Sequence, residues 1–269
     1  MKGKILAYLS SADRVPLKEG GTHATGVFLG ELTEPLKLFL DDYEIDFVTP
    51  NGGKTVIDKN SYKLMYWGFS KKKLQEGESV LAKLKKAGME NPKSLKVLLE
   101  EPGGLDEYDM LFIPGGHSPM TDILYEDWLK SEALNKNTGR LLRHFHERNK
   151  PTALICHAPS VLAAAGDIDG VWVYKGYRMT CITRVSEWLT EDAPFFKVID
   201  GHLKNYPEKI LRNKGAILQQ RNMPMLSNVV EDRELITGQD PYSAKLLGER
   251  MKLKLDGYLS KKVKGKVQG

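Results

Sequence analysis

The chain has only two cysteines, Cys156 and Cys181, among 269 residues. That is too few for a disulfide framework and suits a reducing, cytoplasmic setting. No apolar run approaches the ~20 residues that a membrane helix needs. Ile5 to Leu9 is too short, and lacks the cleavage pattern, for a secretory signal. Histidine is also scarce, six in all, and no combination of His, Cys and carboxylate has zinc-ligand spacing. His144 and His146, two apart on a predicted helix, point to different faces. Gly20-Gly21 and Gly52-Gly53 lack the dinucleotide and Walker fingerprints. The net charge of +5 owes much to Lys261, Lys262, Lys264 and Lys266, read as a solvated, frayed terminus. With no basic face, stacking aromatics or reader motif, a nucleic-acid partner is not expected. The remaining composition, 41% hydrophobic and 28% charged, is that of a soluble globular protein with room for one large domain or two small ones.

Strand and helix signals alternate, as in a parallel sheet covered on both faces. Strands are predicted at Lys4 to Ser10, Glu44 to Thr49, Met110 to Ile113, Thr152 to Ile155 and Arg178 to Thr183. A further pair, Asn228 to Glu231 and Glu234 to Thr237, turns at Asp232 and Arg233. Helices are predicted at about Gly26 to Asp41, Lys71 to Ala87, Trp128 to Leu134, Gly139 to Asn149, Pro159 to Ala165 and Tyr242 to Leu259. The last has Asp240 as N-cap and Pro241 at the first helical position. Two stretches exceed the minimal alternation: about 54–108, with Tyr62, Tyr66, Trp67 and Phe69, and about 188–213, with Trp188, Phe195, Phe196 and Tyr206. Both follow strand ends, where ligands bind in such sheets, so they read either as lids or as extensions of the core.

Ala-Leu-Ile-Cys-His-Ala, 153–158, places Cys156 where an apolar strand meets a helix start, with His157 beside it. Such a turn lifts a side chain above the sheet and aims helix-terminal amides at it. A helix N-terminus and a nearby imidazolium are expected to favour the thiolate. The alternative is a buried structural cysteine, the reading given to Cys181. After the third strand, Pro114-Gly115-Gly116-His117 lets backbone approach a reacting group and offers amides to an oxyanion. His117 reads either as a substrate contact or as an exposed loop residue. Glu31 stands in an apolar helix four residues before Pro35, which cannot donate to its carbonyl, so the helix must distort. It is either a functional carboxylate or a surface glutamate. Glu187 closes the alternating stretch from Arg178, as a strand-end carboxylate able to orient a histidine.

These motifs, together with Asp46-Phe47-Val48-Thr49-Pro50, Gly176-Tyr177 and Leu235 through Pro241, resemble the ThiJ/PfpI superfamily over nearly the whole chain. The likeness is greatest to its branch of stress-related heat-shock chaperones with glutathione-independent glyoxalase (glyoxalase III) activity. The resemblance implies a flavodoxin-like α/β three-layer sandwich, a single domain over 1–269 with the first insertion as cap, and a homodimer. It also implies a lyase acting on methylglyoxal or a similar 2-oxoaldehyde. Cys156 matches the nucleophile, His157 its paired histidine, Glu187 the acidic triad member and Glu31 the glutamate on the thiol. The amides near Gly115, Gly116 and His157 match the oxyanion site. Some branch members bind a metal on the helix after that glutamate; Leu38, Phe39 and Leu40 stand here, so no metal and no other cofactor are expected. Protein deglycase and holding-chaperone roles, the latter with unfolded clients, are the alternatives. A glutamine amidotransferase is disfavoured because His202 is followed by Leu203 and Lys204 rather than x-Glu, and a cysteine peptidase because a cap obstructs a polypeptide.

Overall fold

A computed structural model describes residues 2–124, 132–168, 170–194, 197–223 and 225–267. The expected helix residues Trp128 to Ser131, and Phe195 and Phe196, lie outside them. A seven-stranded sheet organises the chain: β1 Lys4–Tyr8, β2 Glu44–Thr49, β3 Lys93–Ser94, β4 Met110–Ile113, β5 Thr152–Ile155, β6 Val229–Asp232 and β7 Leu235–Gly238. Their spatial order is β6-β7-β5-β4-β1-β2-β3, parallel except for the β6–β7 hairpin at the edge.

Alternation along the central strands sorts side chains to two faces. Leu6, Tyr8, Leu111, Ile113 and Leu154 enter one core cluster with Leu141, Leu142 and Phe145 of the helix Glu132–Glu147. Ile5, Ala7, Met110, Phe112 and Ile155 enter the other, with Leu32 and Leu36 of the helix Leu29–Leu36 and Leu247, Met251 and Leu255 of the helix Ala244–Val267. Both faces are therefore covered, giving the α/β sandwich. Among the described residues, no helix is long and apolar enough to cross a membrane.

Several expectations are corrected. The first helix starts at Leu29 rather than Gly26, because Val27 is tied to Val56 and Asp58 by backbone hydrogen bonds of 2.8 and 3.0 Å. It ends one residue past Pro35. Of Arg178 to Thr183, only Arg178–Met179 is strand, and it pairs with Ile217–Leu218 outside the main sheet. The terminal hairpin turns at Arg233 and Glu234, one residue later than expected. The lysine-rich end is not frayed, because the last helix runs to Val267 and Lys262 pairs with the buried Asp109 at 2.7 Å. Two elements carried no readable signal: the short hairpin Arg14–Pro16 with Thr22–Ala24, and β3.

The first long insertion divides in two. Lys59–Tyr62 and Leu64–Trp67 form short 3-10 turns at the sheet's carboxyl end, locked by the Trp67 indole donating to the Ser61 carbonyl at 2.8 Å. The helix Lys71–Leu84 and β3 instead extend the core, burying Leu81, Leu84 and Met89. In the second, Ile199 and Leu203 form a small cluster with Val15 and Leu17 of the N-terminal hairpin.

Candidate active site

β5 ends at Ile155 and a fully buried 3-10 helix, Ala158–Ala165, begins three residues later. Cys156 absorbs the change of direction with φ of 64°, a left-handed conformation that costs a non-glycine residue about 1–2 kcal/mol. The turn is held from both sides: the Cys156 amide donates to the Gly238 carbonyl at 2.9 Å, and its carbonyl accepts from Ile182 at 3.0 Å.

The Cys156 sulfur lies 3.2 Å from His157 Nδ1, and His157 Nε2 lies 2.8 Å from Glu187 Oε1. With Nε2 donating to Glu187, the Nδ1 lone pair faces the thiol. Glu187 arrives on a helix, Arg184–Glu191, not on the end of a strand. Thr183 caps that helix by accepting from the Ser186 amide at 3.1 Å, which ends the extended stretch. Its second oxygen, Oε2, is buried without a hydrogen-bond partner among the described residues.

Glu31 is neither on the surface nor half exposed; it is 0% accessible. Its carboxyl group meets the Cys156 thiol and the Gly116 amide, although neither oxygen completes a hydrogen bond of good geometry. Burial pushes this carboxyl up to about 8, so it holds its proton at neutral pH. The thiol is likewise pushed well above its ordinary range, by burial first and by Glu31 second. The expected depression of the thiol is thus corrected: desolvation and the neighbouring acid outweigh the helix terminus, and the resting state is thiol beside carboxylic acid.

Gly115 and Gly116 make this packing possible. A Cβ on Gly115 would overlap the Glu31 carboxyl and stand 2.7 Å from Cys156 Cβ; one on Gly116, at φ 94°, would overlap the Gly26 carbonyl. His117 is a half-buried wall residue rather than an exposed loop one, its ring centroid 4.3 Å from that of His157. Burial, then the neighbouring His157, hold it well below the usual histidine range. Donor atoms of His117, His157 and Glu187 lie within 4.8 Å of one another, a grouping of metal-ligand types that linear spacing could not reveal. The discounted pair does diverge: His146 Nδ1 meets Glu234 at 2.7 Å and His144 Nε2 meets Lys150 Nζ at 3.3 Å. Cys181 is buried in the core.

The thiol opens into a cavity of about 210 Å³. Tyr66 and Met65 roof it from the first insertion, Leu189 and Val198 wall it from the second, and Asp240 and Tyr242 close it before the last helix. Asp58 and Asp240 are the members that sequence reasoning missed. In the sequence Asp240 reads only as a helix cap, and Asp58 precedes a 3-10 turn with no periodic signal.

A model of the DJ-1/PfpI family matches residues 73–251. The protein/nucleic acid deglycase HchA of Staphylococcus aureus is 27% identical over 253 residues, covering 92% of this chain and 78% of that protein. HchA of Escherichia coli is 24% identical over 249 residues, with 92% and 79% covered. Among solved structures, glyoxalase III from Candida albicans superposes with a TM-score of 0.65 at 20% identity, over 94% of this chain and 97% of that one. That last likeness speaks for the fold.

Proposed function

The chain belongs to the DJ-1/PfpI family, and on that premise we propose that it converts methylglyoxal, or a similar small 2-oxoaldehyde, to the 2-hydroxy acid without glutathione or a bound cofactor. The observation that carries this reading is the relay of Cys156, His157 and Glu187 at 3.2 and 2.8 Å, opening beside a carboxyl group that holds its proton.

In this reading the Cys156 sulfur adds to the aldehyde carbon. A carbon–sulfur bond forms, and the thiol proton, taken up by His157 Nδ1, is handed on to the carbonyl oxygen, giving a hemithioacetal and leaving the imidazole neutral again. Glu31, as an acid, and the amides near Gly115, Gly116 and His157 are the donors assigned to that oxygen. His157 then takes the proton from the former aldehyde carbon while Glu31 protonates the neighbouring ketone oxygen, forming an enediol; His157 returns its proton to the adjacent carbon as Glu31 recovers one from the hydroxyl on the sulfur-bearing carbon. The result is a 2-hydroxy thioester. Water cleaves it, releasing the acid and restoring the thiol. Glu187 stabilises the imidazolium and fixes the ring's tautomer. Glu31 is the competing base for the carbon proton; Glu31→Gln and His157→Asn, compared by exchange of that proton with solvent deuterium, assign the step.

The relatives named as deglycases favour a second reading, removal of early aldehyde adducts from proteins by the same thiol. A holding-chaperone role would not need Cys156. The test is methylglyoxal loss with lactate formation in glutathione-free buffer, alongside release from glycated N-acetyl-cysteine and suppression of client aggregation. Equal rates for wild type and Cys156→Ala in the first assay overturn the glyoxalase reading; loss of the first two activities with aggregation suppression intact supports a thiol enzyme.

A further inference from the structure

We propose that the cavity selects uncharged 2-oxoaldehydes bearing an apolar group of aryl size, and turns away those that carry a carboxylate or phosphate. The inference rests on the 2-oxoaldehyde reading above and adds the identity of the substituent.

Charge argues first. Asp58 and Asp240 bring carboxyl groups to the cavity from two separate segments, beside the protonated Glu31 and the His157-paired Glu187, and no lysine or arginine lines it among the described residues. Of its two histidines, His157 is hydrogen-bonded to Glu187 and His117 is held well below the usual histidine range. Asp58 accepts from the Asn60 amide at 2.8 Å and the Thr25 hydroxyl at 3.2 Å, and Asp240 accepts from the Ser243 hydroxyl at 3.0 Å. Both accept hydrogen bonds, and burial raises both carboxyls above their ordinary range. Asp240, raised by burial to about 6, is ionised at neutral pH. A second anion entering here meets like charge in a poorly hydrated space, where Coulomb repulsion is strong. The same field acts on the product, because the carboxylate appears only when water cleaves the thioester; the last step creates the charge that the walls repel.

Size and surface argue next. Methylglyoxal has a single methyl group as its substituent and leaves most of the 210 Å³ empty. Much of the lining is apolar, with Phe28, Met65, Tyr66, Ile182, Leu189 and Tyr242. Phe28 and Tyr66 meet edge to face at 4.8 Å between centroids, with Tyr242 6.3 Å beyond Tyr66. That corner suits a planar ring. Burying an aryl group against it should raise kcat/KM roughly 10- to 100-fold over methylglyoxal.

The experiment compares methylglyoxal, 4-methylphenylglyoxal and 4-carboxyphenylglyoxal, the last two matched in shape and differing in charge. The methyl compound should have the highest kcat/KM, and the carboxy compound should fall below it by about tenfold or more. Asp58→Asn and Asp240→Asn should each narrow that gap. Each amide keeps an acceptor oxygen, so two independent variants guard against a folding defect in one. A second arm measures binding of the matched pair to Cys156→Ala by calorimetry. Tighter binding of the neutral compound supports the selection even if the wild type turns over none of the three, a result that would overturn only the catalytic reading. Equal or tighter binding of the carboxylate, no binding of either, or a higher kcat/KM for methylglyoxal overturns the proposal.

Discussion

Replacing Glu31 with glutamine should change how stability depends on pH, because Glu31 is a fully buried acid whose carboxyl stands at about 8 against 4.5 when unperturbed. Between those values the folded protein keeps a proton that the unfolded chain releases. The contribution is therefore complete below about pH 4.5, declines by about 1.4 kcal/mol per pH unit, and levels off above about pH 8. The whole swing is on the order of several kcal/mol. Glutamine cannot ionise, so Glu31→Gln gains on wild type at that slope as pH rises. The thiol stays protonated throughout and adds nothing to it. A buried amide without partners costs about 1–3 kcal/mol at every pH, an offset that cannot imitate a slope. With a urea m-value of about 3 kcal/mol/M, the difference in midpoints should move by about 0.4–0.5 M per pH unit in melts from pH 5 to 8. Midpoints that run parallel across that range would refute a protonated Glu31 and the resting state built on it.

Glu187→Gln should lower kcat for methylglyoxal by about 10²- to 10⁴-fold with KM little changed, because an amide cannot stabilise the imidazolium; steady-state kinetics decide. Gly115→Ala should cost about 1–3 kcal/mol or more, since its Cβ meets Glu31 and Cys156, and thermal melts with and without activity assays check it. His202, raised by hydrogen bonds to Glu19 at 2.6 Å and Asp192 at 3.1 Å, stabilises the fold when protonated. Its contribution is complete below about pH 6.5 and lost as pH rises through the higher folded value. His202→Ala should therefore lower Tm at pH 5.5 and leave it unchanged at pH 9; a constant difference would argue against the ion pair.

The central strands were legible because a sheet buried on both faces demands continuous apolar runs, and β1, β4 and β5 carry them beside Gly or Pro. β3 is two residues long and has no pattern to read. Arg178 to Ser186 alternates like a strand, yet Thr180 is fixed by its amide donating to the Thr237 hydroxyl at 2.9 Å, and Thr183 turns the chain into a helix. A periodic signal reports which side faces inward, not what it faces. Glu31 shows the same limit. Its apolar neighbours mark a buried helix, but only the approach of Gly115 and Cys156 from distant strands reveals that a carboxylic acid is what the elbow encloses. Cys156 and His157 could be named from a local motif. Asp58 and Asp240 could not, since their shared cavity is a product of topology.

The hydrogen bond from Cys156 to Gly238 also sets a sequence of events at the ribosome. The residue that anchors the elbow follows the cysteine by 238 − 156 = 82 positions, about 4–16 s of synthesis at ~5–20 residues/s. Until the Gly238 strand slots in beside Thr152–Ile155, the Cys156 amide lacks its partner and the left-handed turn is held on one side only, by Ile182. The emerging polypeptide thus displays an ordinary, water-accessible thiol, open to any electrophile in its surroundings. The chemistry proposed for the mature protein begins only when that late segment docks, so the window of greatest vulnerability for this cysteine comes before the protein is finished.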